Sequence, residues 1–562
     1  MAVTVTEAVT RSAADVPERP VAMAFILTAL GALFLGFLLG PLQALNYAGI
    51  NLYQYLPLAS YYQGLTLHGV LLALVFTTFF ISGWLLYLPA RELDMHPNLA
   101  LSWSAFGLML LGTILAGAAM LSNTANVLYT LYPPLQAHFA FYLGLALVVV
   151  ASLMVAYGVG EMWLRWRRAH PGEPTPLATY MSVVTWLMWA LASLGLVIGV
   201  VGQLLPWSLG WTEGVDPQLF RTFFWYTGHP IVYFWVLPAY VSWYALLPRQ
   251  AGGRLFSDPM ARAVFLLFLL FSIPVGFHHQ YSDPGISVGW KVVHNVMTMF
   301  VAVPSLITAF TVGASLEDAG RARGGEGLTG WFRALPWDNP VVSAQVLAMV
   351  TFIFGGAGGI ILSSVILNAT VHNTAFIPGH FHITVGTATT LTFMGIAYWL
   401  VPHLAGKSLR ATRAARASVW HWFAGMMLFA AGMHWMGLLG VPRRTHLSNM
   451  SQPMLEVYTD ALAPMVLTGI GGIALLIGGL LFFYAIAATL LGEKTGNAPD
   501  IDFTGAISGP RGRDGRPKHS VLIMDRLGLW ALAAAILIAI AYVPTIVGQI
   551  NSAVPVAGQR LW

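Results

Sequence analysis

The chain has 562 residues, of which 57% are hydrophobic and only 9% charged, against about a quarter charged in ordinary globular domains. Folded in water it would lack the polar surface to cover its core, so composition excludes a soluble body and points to a lipid bilayer. The net charge of +5 implies no nucleic-acid partner, because the basic residues follow membrane topology. The absence of cysteine excludes disulfides, iron–sulfur clusters, thiolate zinc sites and covalently attached c-type haem.

A spanning helix needs about 20 largely apolar residues. In chain order such stretches lie near 21–45, 65–89, 99–121, 134–160, 180–205, 219–247, 260–279, 288–314, 341–366, 376–402, 417–440, 462–491 and 527–549. The expected fold is an all-α polytopic membrane protein, a bundle of about 13 transmembrane helices. Residues 1–20 show no signal-peptide pattern and read as a cytoplasmic N-terminal segment. Residues 21–549 read as one transmembrane domain, with the Gly-, Pro- and charge-rich stretch 494–526 as a cytoplasmic loop within it. Residues 550–562 read as an external C-terminal tail. No internal repeat is visible, which weakens a transporter built from duplicated halves.

Lysine and arginine set the orientation. Twenty-two lie in the N-terminus and every second connection. Five lie on the other side: Arg221, Lys291, Arg443, Arg444 and Arg560. The N-terminus is therefore expected in the cytoplasm and the C-terminus outside. All 22 acidic residues fall in termini, connections or helix ends, so intramembrane carboxylate relays are missing. A proton route must use hydroxyls, imidazoles and water.

Histidine does enter the spans. His138, His294, His421 and His434 read as packing residues. Six others, His68, His229, His278, His279, His380 and His382, fall in the outer halves or outer ends of their spans, where a buried redox centre would gather them. Residues two apart on a helix point about 200° apart, so His380 and His382 serve two different centres. An axial haem ligand from this pair can be matched by His68 from another span, where Gly69 offers room for a porphyrin face. His229 with the pair His278–His279 offers three imidazoles, which suits copper or zinc with an open position. Tyr233 stands one turn after His229 on the same face and can supply a proton and an electron.

The motifs Gly-His-Pro-Ile-Val-Tyr (228–233), Gly-Phe-His-His-Gln (276–280) and Ile-Pro-Gly-His-Phe-His (377–382) resemble the catalytic subunit of the haem–copper oxygen reductases, the terminal cytochrome oxidases, in their B-type branch. The resemblance covers essentially the whole chain. It implies His68 and His382 as axial ligands of a low-spin haem b, and His380 as proximal ligand of a high-spin haem, a-type in this branch. It implies His229, His278 and His279 as ligands of one copper ion, and Tyr233 as the tyrosine cross-linked to the first of them. It also implies a hydroxyl proton path through Thr308, Ser305, Tyr244 and Tyr240 to Tyr233. Arg443 and Arg444 resemble the family's propionate clamp, with His372 nearby.

The implied activity is reduction of O2 to water coupled to proton translocation, in a prokaryotic plasma membrane. Without cysteine the dinuclear copper site that receives electrons must sit in a second subunit, fed by a c-type cytochrome or a small copper protein. Two positions depart from the family pattern. Asn368 replaces an aspartate near a haem propionate, and Ala151 replaces a channel hydroxyl, with Ser152 beside it as a substitute. A nitric oxide reductase of the same superfamily generally lacks the tyrosine, so Tyr233 and the acid-free spans weigh against it. A non-redox transporter predicts no haem at all.

Overall fold

The computed structural model describes residues 16–447, 450, 456, 458–494 and 498–562. Most of the expected N-terminal segment 1–20 and a few residues of the loop 494–526 lie outside it. Each of the thirteen hydrophobic stretches is helical. In chain order they are α1 (Arg19–Tyr47), α2 (Tyr61–Glu92), α3 (Leu99–Leu121), α4 (Phe139–Ala169) and α5 (Leu177–Ser208). Next come α6, in two halves (Pro217–Gly228 and Pro230–Ala245), and α7 (Asp258–Phe271). They are followed by α8 (Val288–Ala322), α9 (Pro340–Ser363), α10 (Phe376–Ala405), α11 (Thr412–Leu438), α12 (Leu462–Leu491) and α13 (Leu527–Asn551).

Among the described residues, ten helices are long and apolar enough to cross a membrane by length and composition alone; α6, α7 and α11 are the others. The reasons are local. Pro230, which has no N–H to continue the ladder, follows His229 and divides α6. The α7 helix stops at Phe271, and a 3₁₀ segment, Gly276–Gln280, carries the chain on. The expected span 260–279 is thus not one helix, and both of its histidines lie in the 3₁₀ segment. Side chains there turn about 120° per residue, and the two motifs expected to bind copper occupy the two interrupted spans.

Two further irregularities flank histidines. A π-helical segment, Leu71–Phe76, begins three residues after His68, and another, His382–Thr389, begins at His382. Wide turns of this kind cluster at functional sites. Here threonine hydroxyls take carbonyls five residues back, Thr387 on His382 at 3.3 Å and Thr390 on Val385 at 2.8 Å.

The charged loops are tied down on the side expected to be cytoplasmic. Arg262, fully buried, donates to Asp258 at 2.6 Å and to the Thr175 carbonyl at 2.7 Å, and lies 3.5 Å from Asp525. Arg167 pairs with the same Asp525 at 3.0 Å. Beside them β1 (Leu255–Ser257) and β2 (Ala506–Ser508) pair in parallel, fastening the 494–526 loop to the bundle. Glu92 ends α2 by accepting three hydrogen bonds from Ala178 and Thr179 at the start of α5, an N-terminal cap. Among the described residues every acidic side chain lies near a helix end or in a connection, as the sequence indicates.

Candidate redox centre

The break in α6 places His229 between two half-helices, and the 3₁₀ turn presents His278 and His279 to it. His229 Nδ1 lies 3.2 Å from His279 Nε2, and the ring centroids of His229 and His278 are 4.4 Å apart. Ligand nitrogens of all three lie within 4.8 Å of one another. Nitrogens about 2 Å from a shared metal in tetrahedral array would stand roughly 3.3 Å apart, so the cluster is close to a coordinating geometry.

Its supports are specific. Thr298 donates its hydroxyl proton to the His294 carbonyl at 2.6 Å and so accepts from His278 Nδ1 at 3.1 Å. That leaves His278 Nε2 for a metal, the usual outer-shell arrangement. The indole of Trp225 stacks on His279, with centroids 3.8 Å apart and planes 7° apart. Tyr233 lies beside His229 at a centroid distance of 4.9 Å, and His229 Nε2 is buried without a hydrogen-bond partner. His229 thus turns Nδ1 to the cluster and leaves Nε2 free beside a phenol.

A cavity of 680 Å³ is lined by His229, His278, His279, Tyr233 and His380. The α9 run Gly355-Gly356-Ala357-Gly358-Gly359 forms one wall of the His380 site. A Cβ at Gly358 would lie 2.9 Å from His380 Nδ1, so only a bare backbone lets the ring lie there. The space suits a planar macrocycle between His380 and the triad. An apolar arm of the same cavity runs along α8 past Leu306, Ala309, Gly313 and Leu316 to Trp331 and Phe332.

His382 faces elsewhere, as the 200° argument requires. Its ring and that of His68 have centroids 6.3 Å apart and planes 14° apart. Two imidazoles holding one iron from opposite sides through roughly 2 Å bonds have centroids about 6 Å apart. Each Nδ1 is engaged by a backbone carbonyl, His68 by Gly36 at 2.9 Å and His382 by Pro378 at 2.6 Å. Both Nε2 atoms are left as ligands. The six histidines therefore form two sites. Gly69 lines the cavity and lies against the Tyr129 ring, which a Cβ there would meet at 2.9 Å. The small residues against His68 are Gly36, whose carbonyl it engages, and Gly40.

The outer rim of the cavity is polar. Arg443 lines it and donates to Asn373 Oδ1 at 2.7 Å, while Arg444 lies over the Tyr129 ring at 5.2 Å. Neither guanidinium forms an ion pair among the described residues. Arg443 keeps some surface exposure but is ringed by protein, and burial, with Arg444 beside it, pulls it down to about 10. Such a pair calls for carboxylates from a bound group. Arg444 also has a φ of 64°, a left-handed conformation that costs a non-glycine residue energy and clusters at functional sites. Asn368 donates to the Leu362 carbonyl at 2.6 Å and lies 3.1 Å from His372 Nδ1. Burial, and then Arg443, holds His372 below the usual imidazole range.

A family model described as "Cytochrome C and Quinol oxidase polypeptide I" matches residues 20–499. The chain belongs to this family. It is 53% identical over 557 residues to cytochrome c oxidase subunit 1 of Thermus thermophilus, a match covering 97% of each chain. It is 26% identical to the alternative cytochrome c oxidase subunit 1 of Bradyrhizobium diazoefficiens, covering 75% of this chain and 74% of the relative. Among solved structures, a heme-copper terminal oxidase dimer determined by cryo-EM superposes with a TM-score of 0.91 at 35% identity. That match covers 97% of this chain and 95% of the other. The chain is a multi-pass catalytic subunit of a terminal oxidase of the cytochrome c oxidase type, and the B-type branch fits its Thermus relative.

The expected hydroxyl path of the oxidase is partly bonded. Tyr244 donates to Thr308 at 2.8 Å, and Thr308 in turn donates to the Pro304 carbonyl. Tyr240 lies beside Ser305 and Thr308, but its hydroxyl makes no hydrogen bond of ordinary geometry, a gap that a water would close. Ser152, the expected substitute for a channel hydroxyl, accepts from the Trp189 indole at 2.8 Å and donates to the Val149 carbonyl at 2.6 Å. Of the four packing histidines, His294 and His434 bond to backbone carbonyls, His138 caps α4, and His421 is exposed. Thr298, Trp225 and Asn373 escaped the sequence reading, and no motif distinguishes them.

Proposed function

We infer that the oxidase reduces O2 to water in the cavity between His380 and the His229–His278–His279 cluster, with one copper ion in the cluster, His380 on the high-spin haem and His68 with His382 on a low-spin haem b. The observation that carries this reading is the convergence of three imidazoles, a fourth histidine on a glycine wall, and a phenol around one cavity. When bound, the metals supply electrons and a place for oxygen. The chain's own residues do the rest. His278 and His279 are held by Thr298 and Trp225 so that their free nitrogens face the cavity. Tyr233 is placed to give oxygen a proton and an electron together; a Tyr233 ring carbon and His229 Nε2 are joined by a bond formed with loss of one hydrogen from each, the two electrons and two protons going to O2.

The proton lost by Tyr233 is replaced through Tyr240, Tyr244, Ser305 and Thr308, because no span offers a carboxylate. Arg443 and Arg444 pair with haem propionates, with His372 beside them. The apolar arm to Trp331 and Phe332 suits the long chain of an a-type haem. The N-terminus and the 494–526 loop lie in the cytoplasm and the tail 550–562 outside, as the arginine and lysine bias requires. A second subunit carries the dinuclear copper and accepts electrons from a c-type cytochrome or copper protein, since this chain has no cysteine.

The test is Tyr233→Phe. The purified variant should keep haem and copper, lose nearly all oxygen uptake, and lack the cross-linked peptide in a digest. Near-wild-type oxygen uptake would refute the role of the phenol.

A further inference from the structure

We propose that Tyr542, on the thirteenth helix, is a positioning residue for the copper ligands. Helix α13 lies beyond residues 20–499, the part matched by the family model. Yet it supplies one anchor of the segment that carries His278 and His279 and backs the other, which His294 of α8 makes. After α7 ends, the chain makes a tight turn in which Val275 N donates to the Ile273 carbonyl at 2.7 Å. The Tyr542 hydroxyl sits in the mouth of that turn. It accepts from Gly276 N at 3.0 Å and donates to the Ile273 carbonyl at 3.1 Å. Position 276 has to be glycine, because a Cβ there would collide with the Tyr542 hydroxyl and the Trp225 carbonyl.

The second anchor is one residue away on both sides. Phe277 N donates to His294 Nδ1 at 3.2 Å, so His294 Nε2 carries the proton and donates to the Ala541 carbonyl at 3.1 Å. The Phe277 and His294 rings stack at 3.9 Å and 15°. Residues 276 and 277 are thus fixed to residues 541 and 542, and the next two residues are the ligands.

A 3₁₀ segment has weak hydrogen bonds of its own; His278 N reaches the Val275 carbonyl at 3.3 Å. The backbone that carries both imidazoles therefore depends on the external clamp, while Thr298 and Trp225 fix the rings themselves. Outer-shell partners of this kind are worth about 10- to 100-fold in metal affinity.

The inference rests on the cluster being a copper site, and the experiment separates the two claims. Purified wild type, Tyr542→Phe and a control, Tyr226→Phe, are incubated with bathocuproine disulfonate, and copper per haem iron is followed in time. The control removes a neighbouring phenol hydroxyl that donates to the Leu191 carbonyl at 3.2 Å. Tyr542→Phe should release copper about 10-fold faster, with an unchanged low-spin haem spectrum, and the control should match wild type. Equal release rates overturn the proposal, as does parallel loss of copper and low-spin haem, which marks a general folding role. Should Tyr542→Phe fail to accumulate, His294→Leu, which cuts the other anchor, decides by the same readout. Wild type without copper, or His279→Ala that keeps it, would instead undo the copper assignment.

Discussion

Replacing Thr308 by valine tests the proton path where it is bonded. The side chain keeps its volume but loses the hydroxyl that accepts from Tyr244 at 2.8 Å. A buried donor left without a partner costs about 1–3 kcal/mol. As a stability loss that is small for a chain of 562 residues. As an added barrier to proton transfer, at about 1.4 kcal/mol per factor of ten, it slows delivery about 10- to 100-fold. Oxygen uptake with an artificial reductant, with proton uptake followed by a pH dye, should fall by that factor while the haem spectra stay unchanged. Thr308→Ser should recover most of the loss. If Thr308→Val turns over and takes up protons at the wild-type rate, the hydroxyl path is wrong, and protons reach Tyr233 by another route.

Three further outcomes follow from the geometry. His382→Leu should remove the low-spin haem spectrum and leave the high-spin site largely in place, read by pigment spectra of the purified variant; equal loss of both would break the two-site assignment. Arg262→Met should destabilise the chain by about 3–5 kcal/mol, because Asp258 stays buried without its cation while Asp525 keeps Arg167; an unchanged thermal midpoint would show that the cluster carries no such weight. Ser152→Ala should leave oxygen uptake unchanged and lower stability by only about 1–3 kcal/mol through the orphaned Trp189 indole; slowed turnover would return Ser152 to the proton path.

The spans were legible because burial in lipid demands about 20 apolar residues in a row, and their observed ends mostly fall within a few residues of the expected ones. Their interruptions were not. Averaged hydropathy runs straight through Pro230 and Pro274, so the break in α6 and the 3₁₀ turn after α7 are invisible until the chain is packed. The histidines announced themselves by type, since an imidazole in a span is rare enough to need a reason. The residues that aim them did not. Thr298, Trp225 and Tyr542 are ordinary membrane-helix residues, brought to the cluster from other elements by tertiary packing. Gly69 and Ser152 show something else that residue type does not reveal, their packing against neighbours, Tyr129 and Trp189 respectively.

The claim that this chain alone houses two haems and a copper ion is tested most directly by pigment and metal analysis of the purified subunit. Pyridine-haemochrome spectra with elemental analysis should give two haems and one copper per chain, one haem b and one a-type. A chain that folds and inserts but binds no haem, or binds haem without copper, would contradict the account.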